Sequence, residues 1–157
     1  MSQQNQDFLS EGLKAQHTIY ERLTWKINGM PRYDISESPE GSFKDMVDKI
    51  DITLIDKLTN KEYNYDVKSS QYCEKITYTH INSLGQKSKI YSGEFSIDLI
   101  FTFGTYNIGY FVRAEEFYNL LQEKIKNGKE YKSKTKINSK YVWITLEEIK
   151  ALAYNTI

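Results

Sequence analysis

One cysteine in 157 residues, Cys73, excludes an intramolecular disulfide framework and fits a reducing, cytoplasmic setting. Cys73 and the two histidines, His17 and His80, do not share metal-ligand spacing, which disfavours zinc. Cys73 is expected to act as a small buried apolar residue. His80 is expected to be a surface or satisfied polar residue. Two prolines leave no room for a proline-rich linker, and neither an internal repeat nor a low-complexity segment is found. Lys plus Arg and Asp plus Glu both number 21, so the net charge is zero and gives no global nucleic-acid signal; only local patches can bind phosphate. No apolar run is long enough to span a membrane, and the polar start Met1-Ser-Gln-Gln-Asn-Gln6 does not read as a signal peptide. What is present, including 13 tyrosines, predicts a folded chain with a sizeable core in a single domain, residues 1–157.

The most informative stretch is Asp51-Ile-Thr-Leu-Ile-Asp56 followed by Tyr63-Asn-Tyr-Asp-Val-Lys-Ser-Ser70. Ile52 and Leu54 alternate with Asp51 and Thr53, and Tyr63, Tyr65 and Val67 alternate with Asn64, Asp66 and Lys68. That period of two predicts two strands, and the short polar Lys57-Leu-Thr-Asn-Lys61 predicts an antiparallel hairpin. Asp66 and Lys68 share a face, and Asp51 falls at the same end, opposite the apolar set. Two carboxylates are hard oxygen ligands suited to Mg²⁺, with the Val67 carbonyl as a further ligand. Lys68 is placed to orient or help deprotonate a water for attack on phosphorus.

Asp51 and then Asp66-Val-Lys68 after a hairpin resemble the PD-(D/E)XK nuclease superfamily, the fold of many restriction enzymes and of archaeal Holliday-junction resolvases. The same spacing occurs in Glu130-Tyr-Lys132 and Glu148-Ile-Lys150, but only Asp66-Val-Lys68 has a strand end and an upstream strand opening on Asp. The resemblance covers the hairpin best and residues 8 to 112 more loosely. It implies a three-layer α/β, restriction-endonuclease-like fold, with a mixed central sheet flanked by helices. It also implies Asp51 and Asp66 as metal ligands, Mg²⁺ as cofactor with Mn²⁺ as substitute, and DNA as substrate. The superfamily's first helix often carries a Glu directed at the metal; the matching position here holds Gln16, with Glu11 and Glu21 as the nearest carboxylates. Asp45 and Asp48 are rivals to Asp51, Asp48 standing second.

The remaining chain predicts a helix over 6–24, with Gly12 admitting close packing on the sheet. A strand pair is expected from Trp25-Lys-Ile27 and Arg32-Tyr-Asp-Ile35 around Asn28-Gly29, then a loop with Pro39 and Gly41. Strands are expected at 96–103 and 108–112 around a turn at 104–107, with Asp98 a buried structural carboxylate. A helix follows over 114–126, then a strand at 141–146 and a short helix over 147–153 begun by Thr145 or Leu146. Ser69 and Gln71 are candidates for substrate contact. Gln86-Lys-Ser-Lys89 forms a small basic loop. From Lys124 to Lys140 a flexible lysine-rich loop is expected, with Tyr131 and Tyr141 interleaved, in which Lys132, Lys134 and Lys136 are candidates for the phosphate backbone.

The functional expectation is a Mg²⁺-dependent nuclease hydrolysing DNA phosphodiesters, acting as a homodimer and of phage or mobile-element type. Its catalytic group is Asp51, Asp66, Lys68 and Gln16. The alternative is an inactive member of the same fold that binds DNA or inhibits a protein partner. A third reading makes Asp66 and Lys68 an ordinary ion pair in a structural domain.

Overall fold

The computed structural model describes residues 3–27, 32–39, 42, 49–104 and 108–157, and at residues 3–11 and 27 it describes the backbone alone. The Asn28-Gly29 turn, most of the turn at 104–107, Asp45, Asp48 and the Glu11 side chain lie outside the described residues. Among the described residues the chain is α/β, with a six-stranded mixed sheet, a second sheet of three strands and three helices.

Helix α1 spans Gln3–Ile27. It carries Ile19 and Leu23 onto the main sheet, where they meet Ile52, Tyr65, Ile100 and Phe111. Trp25–Ile27 therefore continues the helix rather than forming a strand; Trp25 is 82% exposed, so the last turn needs no apolar partner. Strand β1, Tyr33–Glu37, pairs instead with β2, Ile52–Asp56, and β2 pairs antiparallel with β3, Lys61–Ser70. The expected hairpin is thus present, with Ile52 opposite Tyr65.

Strand β4, Lys75–Ile81, leaves this sheet, and the chain returns as β5, Ile97–Phe103, parallel to β3. Strand β6, Gly109–Val112, follows antiparallel, then α2, Ala114–Lys126, and the two-residue β7, Tyr131–Lys132. Strand β8, Lys140–Thr145, joins β4 and β7 in the small sheet. Helix α3, Leu146–Leu152, leads to β9, Asn155–Thr156, which closes the main sheet in the order β1-β2-β3-β5-β6-β9.

Alternation along β5 divides the core. Ile100 faces α1, whereas Leu99 and Phe101 face Tyr78, Val142 and Ile144 of the small sheet and Phe117 and Leu121 of α2. One face of the main sheet is thus covered by α1, and the other by the small sheet together with α2 and α3. Close packing does not fall at Gly12, where an added Cβ would meet nothing within 4 Å. It falls at Gly109, where a Cβ would stand 2.7 Å from Ile19 Cδ1. Asp98 is half-buried rather than buried, and has the hydrogen-bonded structural role expected of it. It accepts the Ala114 N–H at 3.0 Å, fixing the start of α2, and the Tyr154 hydroxyl at 3.2 Å.

Candidate functional site

The site begins with how backbone pairing delivers Asp51. Its N–H donates to the Tyr65 carbonyl at 2.8 Å, and its own carbonyl accepts from the Ser38 N–H at 2.8 Å. Asp51 is thereby clamped between the end of β1 and the middle of β3, just before β2 begins. Its carboxylate reaches across β3, where Oδ2 accepts the Val67 N–H at 2.7 Å, and it shares a side-chain hydrogen bond with Asp66. The structure therefore joins Asp51 and Asp66, as the hairpin spacing anticipates. Lys68, two residues along the same face, places Nζ 3.0 Å from Asp66 Oδ2.

Electrostatics at this point work against two ionised carboxylates. Asp51 is buried, and burial first, then the neighbouring Asp66 charge, push its carboxyl well above the usual carboxylate range. The Val67 N–H and Lys68 act in the opposite direction without reversing it. The Asp66 charge holds the Lys68 ammonium firmly protonated. At neutral pH Lys68 is thus a fixed cation and hydrogen-bond donor rather than a base.

Asp66 and Lys68 open into a cleft of about 500 Å³. Tyr78 forms part of its wall, with its hydroxyl 2.8 Å from Ser88 Oγ and its ring edge-on to Phe117. Lys49, Lys87 and Lys89 stand around the cleft, with Glu94 as the opposing charge. The basic loop read at 86–89 therefore belongs to the site. Tyr78 and Lys49 were not foreseen. The signal for Tyr78 was present in Lys-Ile-Thr-Tyr-Thr-His-Ile, whose burial alternates residue by residue along β4.

Other candidates lie elsewhere. Gln16 is buried, but its amide donates to Glu37 Oε1 at 3.2 Å, on the side of the sheet that α1 covers. Glu37 also meets His17 Nδ1 at 3.0 Å, while His17 Nε2 meets Glu21 at 3.0 Å. Glu37, which sequence reasoning did not single out, is thus the carboxylate that organises this part of α1. Ser69 alternates onto the α1 face, opposite Lys68, and Gln71 is exposed beyond the strand; neither is among the described lining residues of the cleft. Lys132, Lys134 and Lys136 are exposed at the far edge of the small sheet.

Three expectations are corrected. Cys73 is exposed, because it sits in a bend between β3 and β4 rather than inside a core strand. His80 is fully buried, on the inward face of β4. Its Nε2 lies 2.6 Å from Glu130, its ring is edge-on to Tyr91, and Nδ1 has no hydrogen-bond partner. The lysine-rich stretch is not one loop. Lys124 is buried against Glu148 at 2.8 Å, and Tyr131–Lys132 forms β7.

Asp51 and Asp66 fit a small hard cation in part. They supply two adjacent carboxylates with the like-charge strain that a cation relieves, and a Mg²⁺ ion retains several waters of its own. Among the described residues no third His, Cys, Asp or Glu joins them. No helix among the described residues is long and apolar enough to cross a membrane. No protein-family model matches the chain, and no curated protein matches it.

Proposed function

We propose that the chain is a Mg²⁺-dependent nuclease of restriction-endonuclease-like fold, hydrolysing DNA phosphodiester bonds in the cleft beside β3. The observation that carries this reading is the buried Asp51 held against Asp66, with Lys68 3.0 Å from Asp66 at the cleft wall. Asp51 and Asp66 would hold the metal, together with the Val67 carbonyl. When bound, the ion would supply Lewis-acid polarisation of the scissile phosphate and a lower pKa for water.

The chain's own residues do the rest. Lys68, fixed as a cation, donates hydrogen bonds to the attacking water or to a phosphoryl oxygen where negative charge develops. Lys49, Lys87 and Lys89 offset the phosphate backbone entering the cleft. Tyr78, with its hydroxyl tied to Ser88, keeps that wall rigid. Cleavage of plasmid and linear DNA in Mg²⁺, Mn²⁺ or EDTA tests the reading. Wild type should cut only with metal, and Lys68→Ala and Asp66→Ala should each lose about 10²–10³-fold in rate while remaining cooperatively folded. Cutting at the wild-type rate by either variant sinks the assignment.

One observation favours a second reading, a nuclease-fold protein that binds DNA or a protein without cutting. Gln16 brings no charge to the helix position where the superfamily often has Glu, and it is engaged with Glu37. That reading expects binding with no turnover under any divalent metal.

A further inference from the structure

Strands β4 and β8 bury Ile76, Tyr78, Val142 and Ile144 on their inner face, which accounts for the packing of the small sheet onto the core. The outer face has a composition that this packing does not require. Across it run Tyr131 of β7 and Tyr141 and Trp143 of β8. The two tyrosine rings are stacked at 5.7 Å and 26°, and Trp143 is edge-on to Tyr141 at 6.1 Å. Tyr131 is 46% exposed, and Tyr141 and Trp143 are partly exposed. Lys75 of β4 places Nζ 4.4 Å over the Trp143 ring.

The charge around this aromatic row has one sign. Residues 129–140 hold five lysines against Glu130, which is already engaged by His80 and Lys140. Lys132, Lys134 and Lys136 have no ion pair among the described residues. Lys132 and Lys140 face one another on the opposite side of β7 and β8, where Glu130 stands 3.7 Å from Lys140, so the lysines left to the outer face are Lys75 and, in the turn between β7 and β8, Lys134 and Lys136. Aromatic faces flanked by lysines complement an unpaired nucleic-acid strand, whose bases offer π-faces and whose phosphates offer negative charge. A duplex keeps its bases stacked inside and gains only the lysines.

We propose that the outer face of the small sheet binds single-stranded DNA, its bases stacking on Tyr131, Tyr141 and Trp143 and its phosphates lying along Lys75 and along Lys134 and Lys136 of the turn between β7 and β8. The row is continuous with the cleft, because Thr79, the cross-strand partner of Tyr141, also lines the cleft. A strand held on the face therefore leads toward Asp66 and Lys68. The choice of DNA over RNA rests on the nuclease reading of the cleft; the stacking surface itself does not.

The test is fluorescence anisotropy with a labelled oligo-dT of about 16 nucleotides, the matching oligo-rU and a duplex of equal length, all in EDTA so that nothing is cut. Oligo-dT should bind more tightly than duplex. Trp143→Leu and Tyr141→Leu, which keep an apolar side chain but remove the π-face, should each weaken oligo-dT binding roughly 5- to 150-fold. Trp143→Phe should restore most of it, and unfolding midpoints establish that each variant is folded. Unchanged oligo-dT binding in the folded leucine variants, or a preference for duplex, overturns the proposal. Tighter binding of oligo-rU overturns the choice of DNA. Loss of a dimer in Trp143→Leu with DNA binding intact assigns the face to a second copy and also overturns it. Failure of the cleft reading shows separately, as wild type that binds oligo-dT but cuts nothing with any metal.

Discussion

Replacing Asp51 by Asn separates stability from function at the candidate site. Asp51 is buried beside Asp66, and both effects raise its affinity for a proton. A carboxyl whose folded pKa lies above its unfolded value destabilises the fold as pH rises from the ordinary carboxylate range through the folded pKa. Each unit of displacement corresponds to about 1.4 kcal/mol. Asn has the same shape and carries no charge. Its Oδ1 can still accept the Val67 N–H now bonded at 2.7 Å. Its amide N–H donates permanently to Asp66, as Asp51 does only when protonated.

The variant is therefore expected to be more stable than wild type in EDTA at about pH 8, by about 1–3 kcal/mol. In a chain of this size that is about 2–4 °C of unfolding midpoint per kcal/mol. The gain should shrink toward zero below about pH 3, where the wild-type carboxyl is neutral in both folded and unfolded states. Adding Mg²⁺ should reverse the order. A ligand at a hundred times its dissociation constant contributes about 2.7 kcal/mol to the form that binds it, and Asp51→Asn removes one of the two charges that would bind it. Thermal unfolding followed by circular dichroism across pH, with EDTA or Mg²⁺, reads all of this. An Asn variant less stable than wild type in EDTA at about pH 8, or a gain that does not vary with pH, would refute the reasoning.

Two further predictions concern the frame around the site. Thr145 caps α3 in a reciprocal arrangement with Glu148, so Thr145→Ala should cost about 1 kcal/mol in urea unfolding; a change near zero would remove the cap from the account. Arg32 holds the Asp56 carboxyl down at about 2, through a bidentate contact at 2.9 and 2.6 Å. The stability from that pairing is present above the ordinary carboxylate pKa and is lost as pH falls through about 2. The gap between wild type and Arg32→Gln in acid titrations should therefore close toward that pH, whereas a gap constant with pH would mean the contact is not electrostatic.

The sequence made local features legible and long-range partnerships much less so. The β2–β3 hairpin, β5, β6, α2 and the Thr145 start of α3 were all visible, because each is written in its own period or cap. Asp51 and Asp66 could be brought together on paper because a hairpin of known spacing fixes the register. Gln16 could not be placed, since its partner Glu37 is 21 residues away and the contact depends on how α1 lies over β1. The burial of His80 was not legible for a related reason: it is set by the pairing of β4 with β8, about 60 residues later. Trp25–Ile27 misled because aromatic and β-branched residues favour strands, while the helix simply ran on.

Comparison of the buried charges bears on whether Asp66 and Lys68 are merely a structural pair. Elsewhere among the described residues a buried charge is matched. Asp56 has Arg32, Lys124 has Glu148, and Asp98, half-buried, has the Ala114 N–H and the Tyr154 hydroxyl. An Asp66–Lys68 pair at the rim of a cleft would contribute only about 0–1 kcal/mol and requires no third charge. Asp51 departs from this pattern, as a carboxylate pressed against another carboxylate. A fold selected for stability alone would be better served by Asn at position 51. Departures from local stability rules concentrate where a ligand is handled. Two adjacent carboxylates are relieved by positive charge, and Lys68 already faces Asp66, which supports the proposal that this end of the cleft takes a cation.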